Sequence, residues 1–376
     1  MTRIVPFVLI LLALSTIYGA TWDIWSHDMG FVETFWTTSH GIIYISVALT
    51  GIVVLAVVIQ QSIKIGSFSP KHIPYAKGYA LSGSGSLFQL LAGVSDDYYH
   101  SIFGFDVTMW SPPHVGVIFG AVLTMVGVFE MLAAEKDSWK KWAGTLLSLS
   151  LAIVMMQIVL IEYSFVDDFS LTERWQAFNA YVSILMSPVM VYCFTLGAKR
   201  LSRPVGSLIS ASSFCMNLCI YYWWNSTPSD FRFPLMLFIS GLLFDAAYIV
   251  FKNKKFRSYA AGISAVIGLE IAQMLQNPLS IKWDATIFSI IISFLLGLLF
   301  VSFSENKLIF KNYHVLVILM IWVGVFVPET VMAHGEDPSG KVAPELHPSL
   351  VLLEFLIIFF LGYLIATALS RINMIK

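Results

Sequence analysis

Charge is what this chain has least of. Only 12% of its 376 residues are Asp, Glu, Lys or Arg, against about 25% in a soluble domain of ordinary composition. That scarcity excludes a water-soluble globule. Nor is one sign in excess, with 22 Lys and Arg against 23 Asp and Glu, so nothing points to nucleic acid as a partner. Cysteine is nearly absent. Cys193, Cys215 and Cys219 all fall in apolar segments, which makes a disulfide framework the wrong expectation. Cys215 and Cys219 share a helix face, a spacing open to a soft metal, but small buried hydrophobes are the better reading. A phosphate-cradling loop is missing too. Ser82-Gly-Ser-Gly-Ser86 is followed by no Lys-Ser/Thr and lies inside an apolar run. Close helix packing through small residues explains it better.

Apolar sequence fills the space that charge leaves. Hydrophobic residues make up 57% of the chain, and mean hydropathy is +0.78. Runs of about twenty apolar residues recur along its length, enough for a helix to cross the core of a bilayer. Backbone groups in lipid must pair within the segment or in a closed barrel. Continuous runs, rather than alternating ten-residue ones, select helices. The expected fold class is an all-α integral membrane protein with about twelve transmembrane helices. Their approximate limits are 4–21, 40–60, 78–95, 113–134, 143–165, 175–197, 206–224, 233–251, 258–276, 284–303, 313–332 and 349–370.

Eighteen of the 22 Lys and Arg residues fall on one side if the N-terminus is set inside; only Arg174, Arg232, Lys282 and Lys341 fall on the other. Positive charge marks the cytoplasmic face, so both termini are expected there, in a multi-pass protein of the cell membrane. Trp22, Trp25, Trp36, Trp110, Trp175, Trp223, Trp224 and Trp283 gather at the opposite boundary, where amphipathic rings sit well. The opening segment has the outline of a secretion signal, but Tyr18 fits poorly in a small-x-small cleavage site ending at Ala20. It is read as a retained span.

One polar stretch occurs twice. Asp23-Ile-Trp-Ser-His27 is followed after twelve residues by His40, and Asp96-Asp-Tyr-Tyr-His100 after thirteen by His114. In each copy the second histidine stands four residues after a tryptophan, Trp36 or Trp110, and an acid lies between, Glu33 or Asp106. Agreement at so many polar positions marks an internal duplication. A carboxylate and a histidine four apart share a helix face. Trp110-Ser-Pro-Pro-His114 reads as a Ser N-cap, prolines in the first turn, and a histidine still in that turn. Each copy is therefore expected to be a helical hairpin bringing one carboxylate and two histidines together at the outer membrane edge. Residues 1–134 form the duplicated four-helix unit, and residues 135–376 an eight-helix region with a polar outer loop at 333–348.

One carboxylate and two imidazoles make a metal shell with open positions. Imidazole suits copper, zinc, iron and nickel alike. Copper or non-haem iron fits an open, reactive site, whereas zinc fits a closed or hydrolytic one. The expected ligands are Asp23, His27, His40, Asp96, His100 and His114. Asp28, Glu33, Asp97 and Asp106 are candidates to orient the ring nitrogens facing away from the metal. The other reading of the six groups is surface hydrogen bonding to loops and lipid head groups.

Elsewhere the spans carry isolated acids. Glu162, Glu270, Glu329 and Glu354 fall toward outer ends, where water solvates them, whereas Asp245 is deeper and expected to pair with a neighbouring helix. The loop from His334 to His347 holds two histidines and acids, and reads first as a solvated loop.

Asp-x3-His-x12-His, with its second His-x13-His hairpin, resembles the C subunit of the copper-dependent particulate methane and ammonia monooxygenases over about residues 20–134. In that family an Asp and two His at this spacing bind copper in the membrane. The resemblance implies Asp23, His27 and His40 as copper ligands. The family's second copy has Asn where this chain has Asp96. The spans after residue 134 have no counterpart in that subunit, which works with partner subunits. The resemblance thus implies a copper-binding membrane protein and allows a component of a membrane oxidoreductase, with enzyme activity left open. A transporter or proton-coupled carrier, gated by the same acids and histidines, and a structural subunit of a membrane complex are the alternatives.

Overall fold

The computed structural model describes residues 4–28, 36–103, 112–135, 139–165, 172–223, 235–276 and 283–304. Among the described residues every regular element is an α-helix. In chain order they are α1 (Val5–Asp28), α2 (Thr38–Ile65), α3 (Ala76–Phe103), α4 (Pro112–Ala133) and α5 (Trp139–Phe165). There follow α6 (Thr172–Leu201), α7 (Gly206–Trp223), α8 (Leu235–Val250), α9 (Lys254–Gln276) and α10 (Trp283–Ser304). Each falls on one expected span. The spans expected at 313–332 and 349–370, and the loop at 333–348, lie outside the described residues.

Four stretches among the described residues are long and apolar enough to cross a bilayer: Val5–Ser26, Thr38–Ile65, Gly116–Ala133 and Trp139–Ile158. Helix α2 shows why water is the wrong solvent. Ile45, Leu49, Ile52, Leu55, Ile59 and Ile63 are all exposed, and their spacing of three or four residues lines one face. An apolar stripe of that length on a water-facing surface is rare in soluble monomers, whereas lipid tails satisfy it.

Consecutive helices pair as antiparallel hairpins, α1 with α2, α3 with α4, and α8 with α9, while α6 packs against α10. The tightest seam is α3–α4, built from the small residues singled out in the sequence. A Cβ placed on Gly85 would fall 2.5 Å from the carbonyl oxygen of Gly120, and one on Gly127 would fall 2.6 Å from that of Gly78. The backbones meet because no side chain stands between them. Ser82 Oγ then donates to the Thr124 carbonyl across the seam, and Gln89 Nε2 to Thr124 Oγ1 at 3.3 Å. The next seam, α2–α3, is closed by Ser86 Oγ donating to the Val47 carbonyl at 2.7 Å. Buried apolar side chains run as one cluster from Leu9 and Ile10 on α1 to Val301 on α10.

Polar ties cross this apolar interior, because a buried polar group without a partner is costly. Asn217 Nδ2 on α7 donates to Gln157 Oε1 on α5 at 2.7 Å. Asp245 on α8 pairs with a neighbouring helix as expected: it accepts the amides of Gly206 and Ser207, at 2.8 and 2.9 Å, and the Ser207 hydroxyl. It therefore caps α7 from another helix. Glu130, at the end of α4, is buried between Lys77 Nζ at 2.8 Å and an Arg200 guanidinium nitrogen at 3.0 Å. Nearby, Tyr75, whose backbone is left-handed with φ 61°, donates its hydroxyl to Glu135 at 2.6 Å.

Two expectations are corrected. Glu270, read as solvated at an outer helix end, is buried; position along a span does not reveal which face carries the residue. Of the three cysteines only Cys193 is buried, and Cys215 and Cys219 are exposed on α7.

Candidate metal centre

Both hairpins bring a repeat carboxylate onto a repeat histidine. In the first, Asp23 lies five residues before the end of α1 and His40 in the first turn of α2. His40 Nε2 stands 2.9 Å from Asp23 Oδ1. In the second, Asp96 lies near the end of α3 and His114 is the third residue of α4. His114 Nε2 stands 3.4 Å from Asp96 Oδ2. The burial of the two pairs is the same: each histidine side chain is 14% exposed and each carboxylate 6%. Two segments far apart in the chain thus repeat one arrangement, and the duplication is structural as well as textual.

Local sequence sets this geometry. Pro112 and Pro113 open α4, where absent N–H groups cost nothing and the fixed φ suits a first turn. They hold His114 at the helix start, facing back toward the end of α3. In α2 that place is taken by Thr37, Thr38 and Ser39. Thr37 is the N-cap but makes no side-chain capping bond; its hydroxyl lies 3.2 Å from that of Ser39. Ser39 Oγ donates to Asp23 Oδ1 at 2.8 Å, so two adjacent residues of α2 meet the same carboxylate oxygen. The position of Ser39 corresponds to Pro113 in the second copy, which has no hydroxyl. Ser39 was not among the residues read from sequence, and its place beside His40 was the signal available.

His27 and His100 lie within α1 and α3, one turn beyond Asp23 and Asp96; their side chains lie outside the described residues, as does that of Asp28. Glu33, Asp106, Trp110 and Ser111 also lie outside them. Asp97 is exposed beside Asp96. Among the described residues no group of three or more His, Cys, Asp or Glu side chains comes together.

The pairs can still be tested against a metal's requirements. Two donors bound at about 2.0–2.1 Å to one ion, at angles between a right angle and the tetrahedral one, stand about 2.9–3.4 Å apart. The Asp–His separations of 2.9 and 3.4 Å span that interval. Each pair therefore fits two adjacent positions of one ion. The shorter distance, 2.9 Å in the first pair, also suits an imidazole donating to a carboxylate, an arrangement able to hold or pass a proton.

Compared with known proteins, the chain matches no family model, no curated protein and no solved structure.

Proposed function

We propose that the chain is a multi-pass protein of the cell membrane that binds a transition metal, copper first, at its two Asp-His-His hairpins. The carrying observation is that two copies of one motif each set a buried carboxylate against a partly buried imidazole, at separations that adjacent ligands of one ion adopt. Asp23, His27 and His40 would hold the first ion, and Asp96, His100 and His114 the second. An open shell of this type supplies redox chemistry with copper or iron, and Lewis acidity with zinc. The protein side is the buried, low-dielectric setting and the fixed carboxylate. The copper choice, and a place beside the C subunits of membrane monooxygenases, rest on the motif resemblance alone.

The topology belongs to the same proposal. About twelve spans with both termini inside put the hairpins at the outer edge and the Lys77–Glu130–Arg200 cluster at the inner one. Fluorescent fusions at both termini, bright only in the inner compartment, test that orientation.

Metal analysis of the purified protein tests the main reading. Native protein is expected to carry metal, and Asp23→Ala with His40→Ala, or Asp96→Ala with His114→Ala, to lose about one ion per altered hairpin, as an open three-ligand shell requires. Metal content that ignores all four substitutions refutes it. A second reading has its own observation. Asp23 and His40 already sit at hydrogen-bonding distance, as in a proton-handling dyad. Solute uptake by vesicles that depends on a proton gradient and is lost in His40→Ala would favour the proton-coupled carrier.

A further inference from the structure

The repeat is broken at the place where its two copies meet. Four residues after the second histidine, the first copy has Tyr44 and the second Ile118; three residues before the acid, the first has Ala20 and the second Gly93. Tyr44 lies on α2 and Gly93 on α3, and the two touch. A Cβ on Gly93 would fall 2.8 Å from Tyr44 Cε1, so the ring takes the space that a side chain would fill. On the other side, the Tyr44 ring centroid is 5.9 Å from that of His40. A single aromatic ring thus touches the imidazole of the first pair and the backbone one turn before the acid of the second.

The seam on which the ring rests is closely packed. Ser86 is bonded to the Val47 carbonyl. A Cβ on Gly51 would fall 2.8 Å from Ser86 Oγ, and one on Gly83 would fall 3.2 Å from Val54 Cγ1. Helices α2 and α3 therefore meet in close contact below Tyr44.

We infer that Tyr44 is a positioning residue that couples the two Asp–His pairs, so that a cation bound at one changes the affinity of the other. The cation rests on the metal reading above; the coupling rests on the α2–α3 contact.

The test uses the full-length protein in lipid nanodiscs, with Cu(II) as the probe, read by equilibrium dialysis and electron paramagnetic resonance. With His40→Ala disabling the first pair, Cu(II) affinity at the second is expected to change at least about fivefold, the lower end of ordinary coupling between sites. Tyr44→Phe keeps the ring and keeps the change; Tyr44→Ala abolishes it, and Tyr44→Leu serves if the alanine variant does not fold. An unchanged second-pair affinity, or a change that survives loss of the ring, overturns the inference. A second measurement needs no metal. In thermal unfolding, the midpoint shift of the His40→Ala, His114→Ala double variant should depart from the sum of the single shifts when residue 44 is Tyr or Phe. It should equal that sum when the ring is gone. Should Cu(II) not bind, the metal reading falls, and this cycle alone decides the coupling, additivity in the native background overturning it.

Discussion

His40 on α2 stands 2.9 Å from Asp23 on α1, and this contact joins the start of one helix to the end of the one before it. Ser39 reinforces it by donating to the same oxygen. A hydrogen bond to a charged group contributes about 1.5–3 kcal/mol, and an ordinary one about 1 kcal/mol. Both bonds run to the Asp23 carboxylate, so Ser39→Ala is expected to destabilise the protein by about 1.5–3 kcal/mol and Asp23→Ala, which removes both, by at least as much. Thermal unfolding in detergent checks both. Midpoints equal to that of the native protein in both variants would mean that the contact contributes nothing to stability.

Glycine substitutions should differ in sign along the chain. A Cβ on Gly85 meets the Gly120 carbonyl at 2.5 Å, whereas one on Gly41 meets nothing within 4 Å. Gly85→Ala forces the α3–α4 backbones apart, at a cost of about 1–3 kcal/mol. Gly41→Ala, within helix α2, should leave stability unchanged or raise it by up to about 1 kcal/mol. Unfolding midpoints moving the same way in both variants would contradict the seam.

The buried Glu130 answers to two cations at once. Lys77 and Arg200 are each well exposed, at 40% and 44% of the side chain, so water screens the one that is left when the other is removed. Lys77→Gln or Arg200→Gln alone should cost at most about 1 kcal/mol. The double variant leaves a buried carboxylate with neither cation, and the expected cost rises to about 3–5 kcal/mol. Strictly additive losses in unfolding experiments would show that Glu130 does not depend on the pair.

Asp245 holds two backbone amides of α7 from a different helix. Asp245→Ala is expected to cost about 0.5–2 kcal/mol, the range for a lost N-cap, and Asp245→Asn less because one acceptor oxygen remains. Amide exchange at Gly206 and Ser207 checks it: both should accelerate in the alanine variant, ahead of the rest of α7.

How much of this was legible in the sequence depended on whether one helix or two had to be known. Run length and hydropathy are properties of one segment, and the span expected at 143–165 became α5, Trp139–Phe165. The Ser82–Ser86 stretch was legible as a packing seam because small residues in an apolar run have few other uses. The spacing of Asp23 and His40, with their counterparts Asp96 and His114, placed one acid beside one histidine in each copy, as the structure has them; the side chains of His27 and His100 lie outside the described residues. What could not be read was which face meets which neighbour. That is why sequence alone puts Glu270 at a solvated end and Cys215 and Cys219 among buried residues, and the structure reverses each. Ser39 and Tyr44 acquire their importance only across α1 and α3, and no pattern along α2 alone announces them.

The cap on α7 also sets an order of manufacture. The carboxylate that completes the first turn of this helix lies 39 residues further along the chain than Gly206. While the chain is being synthesised, the amides of Gly206 and Ser207 emerge long before Asp245 exists to receive them. Open amides in an apolar setting cost several kcal/mol each. Until α8 packs, the leading turn of α7 depends on water for these two amides. The two helices settle into their final surroundings as a pair, and a chain cut between them would leave α7 unfinished.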